Sequence, residues 1–169
     1  ALYAMNTTDS QRYPDNYEVL STDAALRAET IACRLRHLLY ASTNTKKSEY
    51  LTSAAAMQGI DIQHRGGIYE ITLPCLLPKR RQSQSTEYLI DPLTAALEQY
   101  VKSHTVRRFR RCVVCFSHAY CRDLPERRVR DYDNLEVKQY LDAVAAWLLI
   151  DDGGLFCDVH HTTELGETD

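Results

Sequence analysis

Four aspartates in the C-terminal part of the chain are the residues best suited to chemistry. Asp131 and Asp133 stand two positions apart, and the pair Asp151 and Asp152 follows after a mostly apolar segment. Carboxylate oxygens are the ligands that Mg²⁺ and Mn²⁺ prefer, and such cations catalyse phosphoryl transfer on nucleic acids. The pattern therefore predicts a divalent-metal site and favours a nuclease.

Positive and negative charges are segregated along the chain, although the net charge is only −3. Lysine and arginine minus aspartate and glutamate gives −1 over residues 1–78, +7 over 79–130 and −9 over 131–169. A basic middle segment beside an acidic end suits a phosphate-binding surface next to a cation site. Two solvated faces that neutralise each other, or that bind other proteins, would give the same pattern.

The composition is that of an ordinary globular protein, with 169 residues that suit one domain and its core. No run approaches the roughly 18 to 20 apolar residues of a membrane span. The first residues lack a charged region followed by an apolar core, so we expect no signal peptide. Six irregularly spaced cysteines are typical of a reducing compartment, which predicts a cytoplasmic protein.

Residues 1–58 are predicted to form an arm and a helical extension. The polar residues 1–20 show no sustained period and predict a loosely ordered arm. Apolar residues at helical spacing predict a helix over 21–40, and the alanine-rich residues 48–58 predict a second helix that ends before Gly59. The two helices would form an N-terminal helical hairpin.

Residues 59–169 show strand and helix patterns in turn, and these elements must position the aspartates. In order, the patterns predict two strands around Gly66 and Gly67, a helix beginning near Asp91 and Pro92, a strand over 106–118, a helix over 134–150 and a strand over 155–161. This order predicts an α+β domain in which a mixed sheet packs on helices.

The last predicted helix sets a condition on the aspartates at its two ends. Roughly sixteen helical residues span about 24 Å, so Asp131 and Asp152 could not meet across a straight helix of that length. We therefore expect the helix to stop near Ala146 and the chain from Trp147 to turn back as a strand alongside it. Gly153 and Gly154 would then interrupt that strand.

Several stretches share their order and spacing with a known family. They are Ile-Tyr-Glu-Ile-Thr-Leu-Pro at 68–74, Arg-Arg-Val-Arg-Asp-Tyr-Asp-Asn-Leu at 127–135, Leu-Asp-Ala at 141–143, Trp147, and the Asp-Asp pair at 151–152. Together they resemble the signature of RusA-type Holliday junction resolvases, over residues 66–162. A RusA-like α+β fold is the corresponding expectation for residues 59–169.

The resemblance implies a homodimeric endonuclease that depends on Mg²⁺ or Mn²⁺ and acts on branched DNA, as in recombination and repair. Asp131, Asp133 and Asp152 would be metal ligands, with Asp151 in support. Arginines and lysines of the basic segment would contact phosphates. The predicted nucleic-acid-binding residues are Lys79, Arg80, Arg81, Arg107, Arg108, Arg110, Arg127, Arg128 and Arg130.

The family's catalytic lysine stands four residues after the second aspartate, where this chain has Val137. Lys138 lies one step later, roughly 100° around a helix. Either a local irregularity brings Lys138 into the site as the catalytic lysine, or that lysine is absent. In the second case we expect a non-catalytic adaptor or regulator, of a mobile element for example, that binds nucleic acid or protein.

Ordinary structural roles also account for the aspartates. Asp133 followed by Glu136 matches a capping box, and Asp131 would favour the N-terminus of the same helix through its charge. Residues 151–154, with sequence Asp-Asp-Gly-Gly, are typical of a turn.

A zinc site is the alternative use of the cysteines and histidines. The candidate ligands would be Cys112, Cys115, Cys121, Cys157, His118, His160 and His161. Cys112 and Cys115 fall in an apolar predicted strand, where residues three apart face opposite sides of the sheet. Buried structural cysteines are therefore the favoured interpretation.

Overall fold

The computed structural model describes residues 2–80, 86–122 and 129–166, and its architecture is α+β as predicted. The described elements are α1 (Leu2–Thr7), α2 (Pro14–Ser42), α3 (Lys47–Met57), β1 (Asp61–Arg65), β2 (Ile68–Thr72), α4 (Thr86–Ser103), β3 (Cys112–Cys121), α5 (Lys138–Leu148) and β4 (Cys157–Gly166). The single mixed sheet that was predicted is wrong, because the described strands form two separate pairs: β1 and β2 are antiparallel, and β3 and β4 are parallel. In the described ranges, no helix has the length and apolarity needed to cross a membrane.

The N-terminal residues are helical, so the predicted loosely ordered arm over 1–20 is wrong. Helix α1 occupies Leu2–Thr7, and α2 begins at Pro14 instead of near residue 21. Proline fixes φ near the helical value and lacks an N–H group that the first turn would leave unused, so it starts a helix well. Asp15 adds a favourable negative charge in the first turn.

The end of α3 follows the predicted glycine stop. Gly59 has a φ of 75°, and its N–H bonds the carbonyl oxygen of Ala56 at 3.1 Å. The N–H of Ile60 bonds the oxygen of Ala55 at 3.0 Å. These two bonds form a Schellman motif, which needs a left-handed residue that glycine adopts without a steric cost.

The predicted β-hairpin is confirmed, with its turn at the two adjacent glycines. Gly66 and Gly67 have φ values of 58° and 82°, and Arg65 pairs directly with Ile68. Two positive φ values in a two-residue loop give the turn whose twist matches that of the flanking strands.

Helix α4 starts at Thr86, so the predicted start near Pro92 is wrong and this proline lies inside the helix. Proline has no N–H to bond the carbonyl oxygen of Tyr88, four residues earlier. Arg36 Nη2 and Gln58 Nε2 each donate to that oxygen at 3.2 Å instead. Arg36 is only 5% exposed, and its guanidinium carbon lies 5.1 Å from the centre of the Tyr88 ring. These contacts from α2 and α3 make an internal proline tolerable.

The C-terminal elements occur in the predicted order with shifted ends. Helix α5 is shorter than the range 134–150 that the apolar pattern predicts. It ends at Leu148, two residues beyond the stop near Ala146 that the distance between the aspartates required. Strand β3 covers Cys112–Cys121, not 106–118, and β4 covers Cys157–Gly166, not 155–161.

The chain leaves α5 in extended form, but the predicted strand from Trp147 is wrong, because Trp147 and Leu148 belong to α5. Leu149 is extended and forms a parallel bridge with Phe109, and β4 then pairs in parallel with β3. The segment 151–156, which contains the two glycines, separates these two parallel pairings. Asp152 Oδ2 lies 2.7 Å from Nζ of Lys138, so the chain returns to the start of α5.

The core lies where α4 and α5 pack against each other and against the segments that precede α5. Its most buried members include Leu93, Leu97, Leu135, Tyr140 and Leu148. Leu135 is 0% exposed and follows the acidic turn directly. Its burial stabilises the structure and fixes the chain at that point.

Candidate functional site

The first two aspartates lie in or next to a short 3₁₀ turn at Tyr132–Asn134. Residues on the C-terminal side of this turn pair with a basic segment: the N–H of Arg80 bonds the oxygen of Asn134 at 3.0 Å, and the N–H of Glu136 bonds the oxygen of Pro78 at 2.8 Å. The bridge between Lys79 and Leu135 lies between these two bonds. The chain at Lys79 and Arg80 therefore runs beside the acidic turn, by which we mean residues 131–134.

The predicted capping box is wrong, because α5 does not begin after Asp133. Residues 134–136 are held in the pairing with 78–80, and the residue before α5 is Val137. In this part of the described chain, neither Asp131 nor Val137 makes a side-chain capping bond. Asp131 and Asp133 are exposed. Helix capping therefore does not account for either carboxylate.

Lys138 joins the start of α5 to the segment beyond its end. Its Nζ lies 2.7 Å from Asp152 Oδ2, and it also bonds Asp142 Oδ1 one turn further along the helix. The hydrogen bonds to Asp142 and Asp152 raise the pKa of the Lys138 ammonium well above its usual value. In turn, the hydrogen bond from Lys138 lowers the pKa of the Asp152 carboxyl. The ammonium and the Asp152 carboxylate therefore each favour the charged form of the other.

The chain that leads from Asp133 to Lys138 is irregular. Residues 133–137 are not α-helical, so an offset counted around a helix does not apply. Val137 is half-buried and packs against the core, whereas Lys138 is exposed and reaches Asp152.

Asp151 takes part in a local turn, as the Asp-Asp-Gly-Gly sequence of residues 151–154 suggests. Its Oδ1 accepts a hydrogen bond from the N–H of Gly153 at 2.6 Å. A Cβ atom on Gly153 would come within 2.9 Å of the same oxygen, so this close approach suits glycine. Asp151 is therefore engaged locally, while Asp152 faces Lys138.

Two of the predicted DNA-binding arginines bond the protein backbone. Arg108 Nη2 donates to the carbonyl oxygen of Ala146 at 2.7 Å, near the end of α5, where a cation is favourable. Arg130 Nη1 donates to the oxygen of Leu77 at 3.0 Å, and its N–H donates to the hydroxyl of Tyr120 at 3.1 Å. Both arginines therefore help to hold the chain in place.

The other basic residues divide into two groups. Lys79 and Arg80 are exposed on the segment that pairs with residues 134–136, and Arg107 and Arg110 are exposed a few residues before β3. Arg81, Arg127 and Arg128 lie outside the described residues.

Sequence reasoning missed a ring cluster that supports the acidic turn. His118 is 3% exposed, and its Nε2 lies 3.2 Å from Nδ1 of His161. The Tyr132 ring stacks near both, with centroid distances of 5.4 and 4.9 Å, and its hydroxyl shares a 2.7 Å hydrogen bond with Thr163. Burial lowers the pKa of both histidines, which favours their neutral forms. Strand alternation was the signal that could have placed the histidines on one face.

The prediction of buried structural cysteines is confirmed for Cys157 and is wrong for Cys115, which is exposed. Cys112 is partly buried and lies opposite Cys157 in the ladder, so Cys112 and Cys115 differ in burial as strand alternation predicts. Burial, with Cys157 nearby, raises the pKa of Cys112 to about 11. Across residues 2–80, 86–122 and 129–166, no three histidine, cysteine or acidic side chains are grouped so that they could hold a metal ion.

The donor chemistry of the predicted ligands fits a hard cation. Asp131 and Asp133 offer exposed carboxylate oxygens, and Asp152 offers a carboxylate on the segment after α5. Asp151 and Asp152 each have one oxygen already engaged, by the Gly153 N–H and by Lys138 Nζ. Within the described residues, the four aspartates are not grouped as a ready-made metal site.

The chain matches one family model, and it matches no curated protein or solved structure. The family model, described as a family of unknown function (DUF6100), matches residues 1–169. The match includes the N-terminal helices as well as residues 59–169. The chain belongs to the DUF6100 family.

Proposed function

We propose that this protein is a divalent-metal-dependent endonuclease that acts on branched or structured DNA, as the resemblance to RusA-type resolvases implies. The observation that carries this proposal is the 2.7 Å contact between Lys138 and Asp152. It joins a lysine at the start of α5 to an aspartate beyond its end. Asp152 belongs to the ligand set that the resemblance implies, and Lys138 stands one position after the place of that family's catalytic lysine.

Each acidic residue has a role in this proposal. Asp131, Asp133 and Asp152 would hold Mg²⁺ or Mn²⁺, with Asp151 in support. Such a cation activates water and stabilises negative charge on the phosphate. Lys138, whose pKa is raised, stays an ammonium at neutral pH. It would therefore stabilise phosphate charge and would not act as a general base.

The basic residues supply the complementary surface for DNA. Lys79 and Arg80 lie on the segment that pairs with the acidic turn. Arg107 and Arg110 lie a few residues before β3 and are exposed. Phosphate contacts of this kind position a nucleic acid without reading its sequence. We propose a homodimer, because two sites could then cut the two symmetric strands of a junction.

A non-catalytic adaptor or regulator is the second candidate. One observation favours it: the Lys138 ammonium already neutralises Asp152, and the Gly153 N–H already occupies Asp151. An adaptor would use the exposed basic residues to bind branched DNA without cleaving it.

Incubation with a synthetic four-way junction separates the two candidates. The enzyme proposal predicts strand cleavage by the wild-type protein with Mg²⁺ and none with a chelator. Asp133→Asn should abolish cleavage, whereas the matched control Asp158→Asn, an exposed aspartate on β4, should keep it.

Binding in the same samples gives the other outcomes. Salt-dependent binding by folded wild-type protein without any cleavage would overturn the enzyme proposal and support the adaptor. Absence of binding even at low salt would overturn both candidates.

A further inference from the structure

The outer edge of β4 lacks a neighbouring strand within the described ranges. Strand β4 pairs only with β3 in its sheet, although it is ten residues long. Val159 and Leu165 are 38% and 54% exposed. Parallel strands are normally covered on both faces, and long open edges invite pairing with another chain. The free edge of β4 could therefore accept a further strand.

The hydrogen-bond pattern tells which residues of β4 point to that edge. The N–H of Cys112 bonds the oxygen of Phe156 at 3.0 Å, and the N–H of Arg122 bonds the oxygen of Gly166 at 2.8 Å. In a parallel ladder, alternate residues turn their backbone groups toward the partner strand. Even-numbered residues of β4 therefore bond β3, and odd-numbered residues direct their N–H and C=O groups outward. The outward set is Val159, His161, Thr163 and Leu165.

We propose that this edge pairs antiparallel with the same edge of a second copy of the chain, about a two-fold axis at Thr162. In this register Val159 lies opposite Leu165 of the second copy, and His161 lies opposite Thr163. Both pairs are odd-numbered, so each can exchange two backbone hydrogen bonds. On the outer face, His160 lies opposite Glu164 of the second copy, where an imidazole can bond a carboxylate.

Charge and apolar matching select this register. Centring the pairing on His161 would set Asp158 against Glu164 of the second copy, and like charges directly opposite are destabilising. Centring it on His160 would remove the contact between Val159 and Leu165. The register centred on Thr162 joins the apolar pair and sets a histidine against the glutamate.

The dimer would form a continuous sheet with strand order β3, β4, β4 and β3. A two-fold axis perpendicular to the sheet keeps equivalent faces on the same side. Because the Tyr132 hydroxyl bonds Thr163, one residue from the axis, the two acidic turns would lie on one face near the axis. The pairing itself does not rest on the proposed function.

Disulfide trapping tests the register. Thr162→Cys would face its own copy across the axis at about 4.5 Å between Cα atoms, within disulfide range. The variant is made with Cys115→Ser, because Cys115 Sγ lies 3.8 Å from Thr162 Oγ1 in the same chain. Ser117→Cys in the same background is the matched control. It sits beside Thr162 on β3, so its two copies would be about 14 Å apart, beyond bridging distance.

Mild oxidation should cross-link Thr162→Cys into covalent dimers and leave Ser117→Cys monomeric on a non-reducing gel. Sedimentation of the wild-type protein should show a concentration-dependent dimer. His160→Glu should raise the dimer dissociation constant roughly tenfold, and adding Glu164→Lys should restore it. Wild-type protein that stays monomeric at every concentration tested would overturn the proposal, as would equal cross-linking of the two cysteine variants.

Discussion

At Lys138 one ammonium group contacts two carboxylates, one on its own helix and one beyond the end of that helix. Exposed ion pairs of this kind contribute little to the free energy of unfolding. Their importance here is positional, because the contact sets Asp152 beside Lys138, and no other lysine or arginine occurs in the acidic C-terminal segment 131–169.

The shifted pKa of Asp152 gives a prediction at this scale. Because Lys138 stabilises the ionised carboxylate, the contribution of the pair to stability is present above the pKa of the unfolded aspartate. It is lost as the pH falls through the lowered folded value. The raised pKa of Lys138 means that the contribution is present below the unfolded lysine pKa and is lost only in strong alkali.

An NMR titration of the Asp152 carboxyl carbon measures this shift. We expect a pKa below the usual aspartate range in the wild-type protein and a return toward that range in Lys138→Met. A matched Lys102→Met variant removes a similar exposed lysine that pairs with Glu98, and it should leave Asp152 unchanged. An Asp152 pKa that does not respond to Lys138→Met would contradict the contact.

At the scale of elements, Pro92 shows how tertiary contacts permit a helix that local sequence rules forbid. Proline inside a helix removes one backbone bond, and side chains from α2 and from the end of α3 replace it at Tyr88. Arg36 is buried at this contact. Its removal would leave the carbonyl oxygen of Tyr88 with the side chain of Gln58 as its remaining side-chain donor.

A double-mutant cycle tests this replacement. Arg36→Leu should lower the free energy of unfolding by about 2 kcal/mol, because it removes a charged donor to a partly buried carbonyl. In a Pro92→Ala background the same change should cost less, because the substituted alanine supplies its own N–H to Tyr88. Urea unfolding of the four proteins gives the coupling. Equal costs in the two backgrounds would show that Arg36 does not substitute for the missing bond.

Elements with local signals could be predicted from the sequence, and elements with tertiary causes could not. Gly59 ends α3 and the glycines at 66 and 67 form the hairpin turn, because their signals lie within a few residues. The start of α4 could not be predicted, since it depends on distant side chains. The start of α5 at Lys138 depends on the pairing of 134–136 with 78–80, which no local pattern indicates.

Some features of the candidate site could also be predicted from the sequence, and others could not. The aspartates were found from their spacing, and the reversal after α5 followed from helix length. The contact between Lys138 and Asp152 could not be derived, because it depends on a non-helical stretch before α5. The ring cluster of Tyr132, His118 and His161 was missed because it joins three separate elements.

At the scale of the whole molecule, the proposed DNA interface depends on segregated charge. Exposed basic residues occur beside the acidic turn and before β3. Each phosphate contact adds about 0.9 to the slope of the logarithm of the binding constant against the logarithm of salt concentration. The slope therefore counts the contacts.

Neutralising two of these residues should reduce that slope. We expect Arg107→Gln with Arg110→Gln to lower it by about 2 and to weaken binding uniformly across DNA sequences. Arg65→Gln, an exposed arginine at the β1–β2 turn, is the control and should leave the slope unchanged. Fluorescence anisotropy over a salt series gives the slope for the wild-type protein and both variants. An unchanged slope for the double variant would show that Arg107 and Arg110 do not contact the DNA.

We propose that the contact between Lys138 and Asp152 belongs to a nuclease site. Single-turnover cleavage of a four-way junction in Mg²⁺ by Asp152→Asn and by Asp142→Asn tests this proposal. Both aspartates contact Lys138, but only Asp152 belongs to the proposed ligand set. We expect Asp152→Asn to lose cleavage and Asp142→Asn to stay within a few-fold of wild type, roughly the cost of weakening one exposed ion pair. Equal rates for the two folded variants, or no cleavage by the wild-type protein, would contradict it.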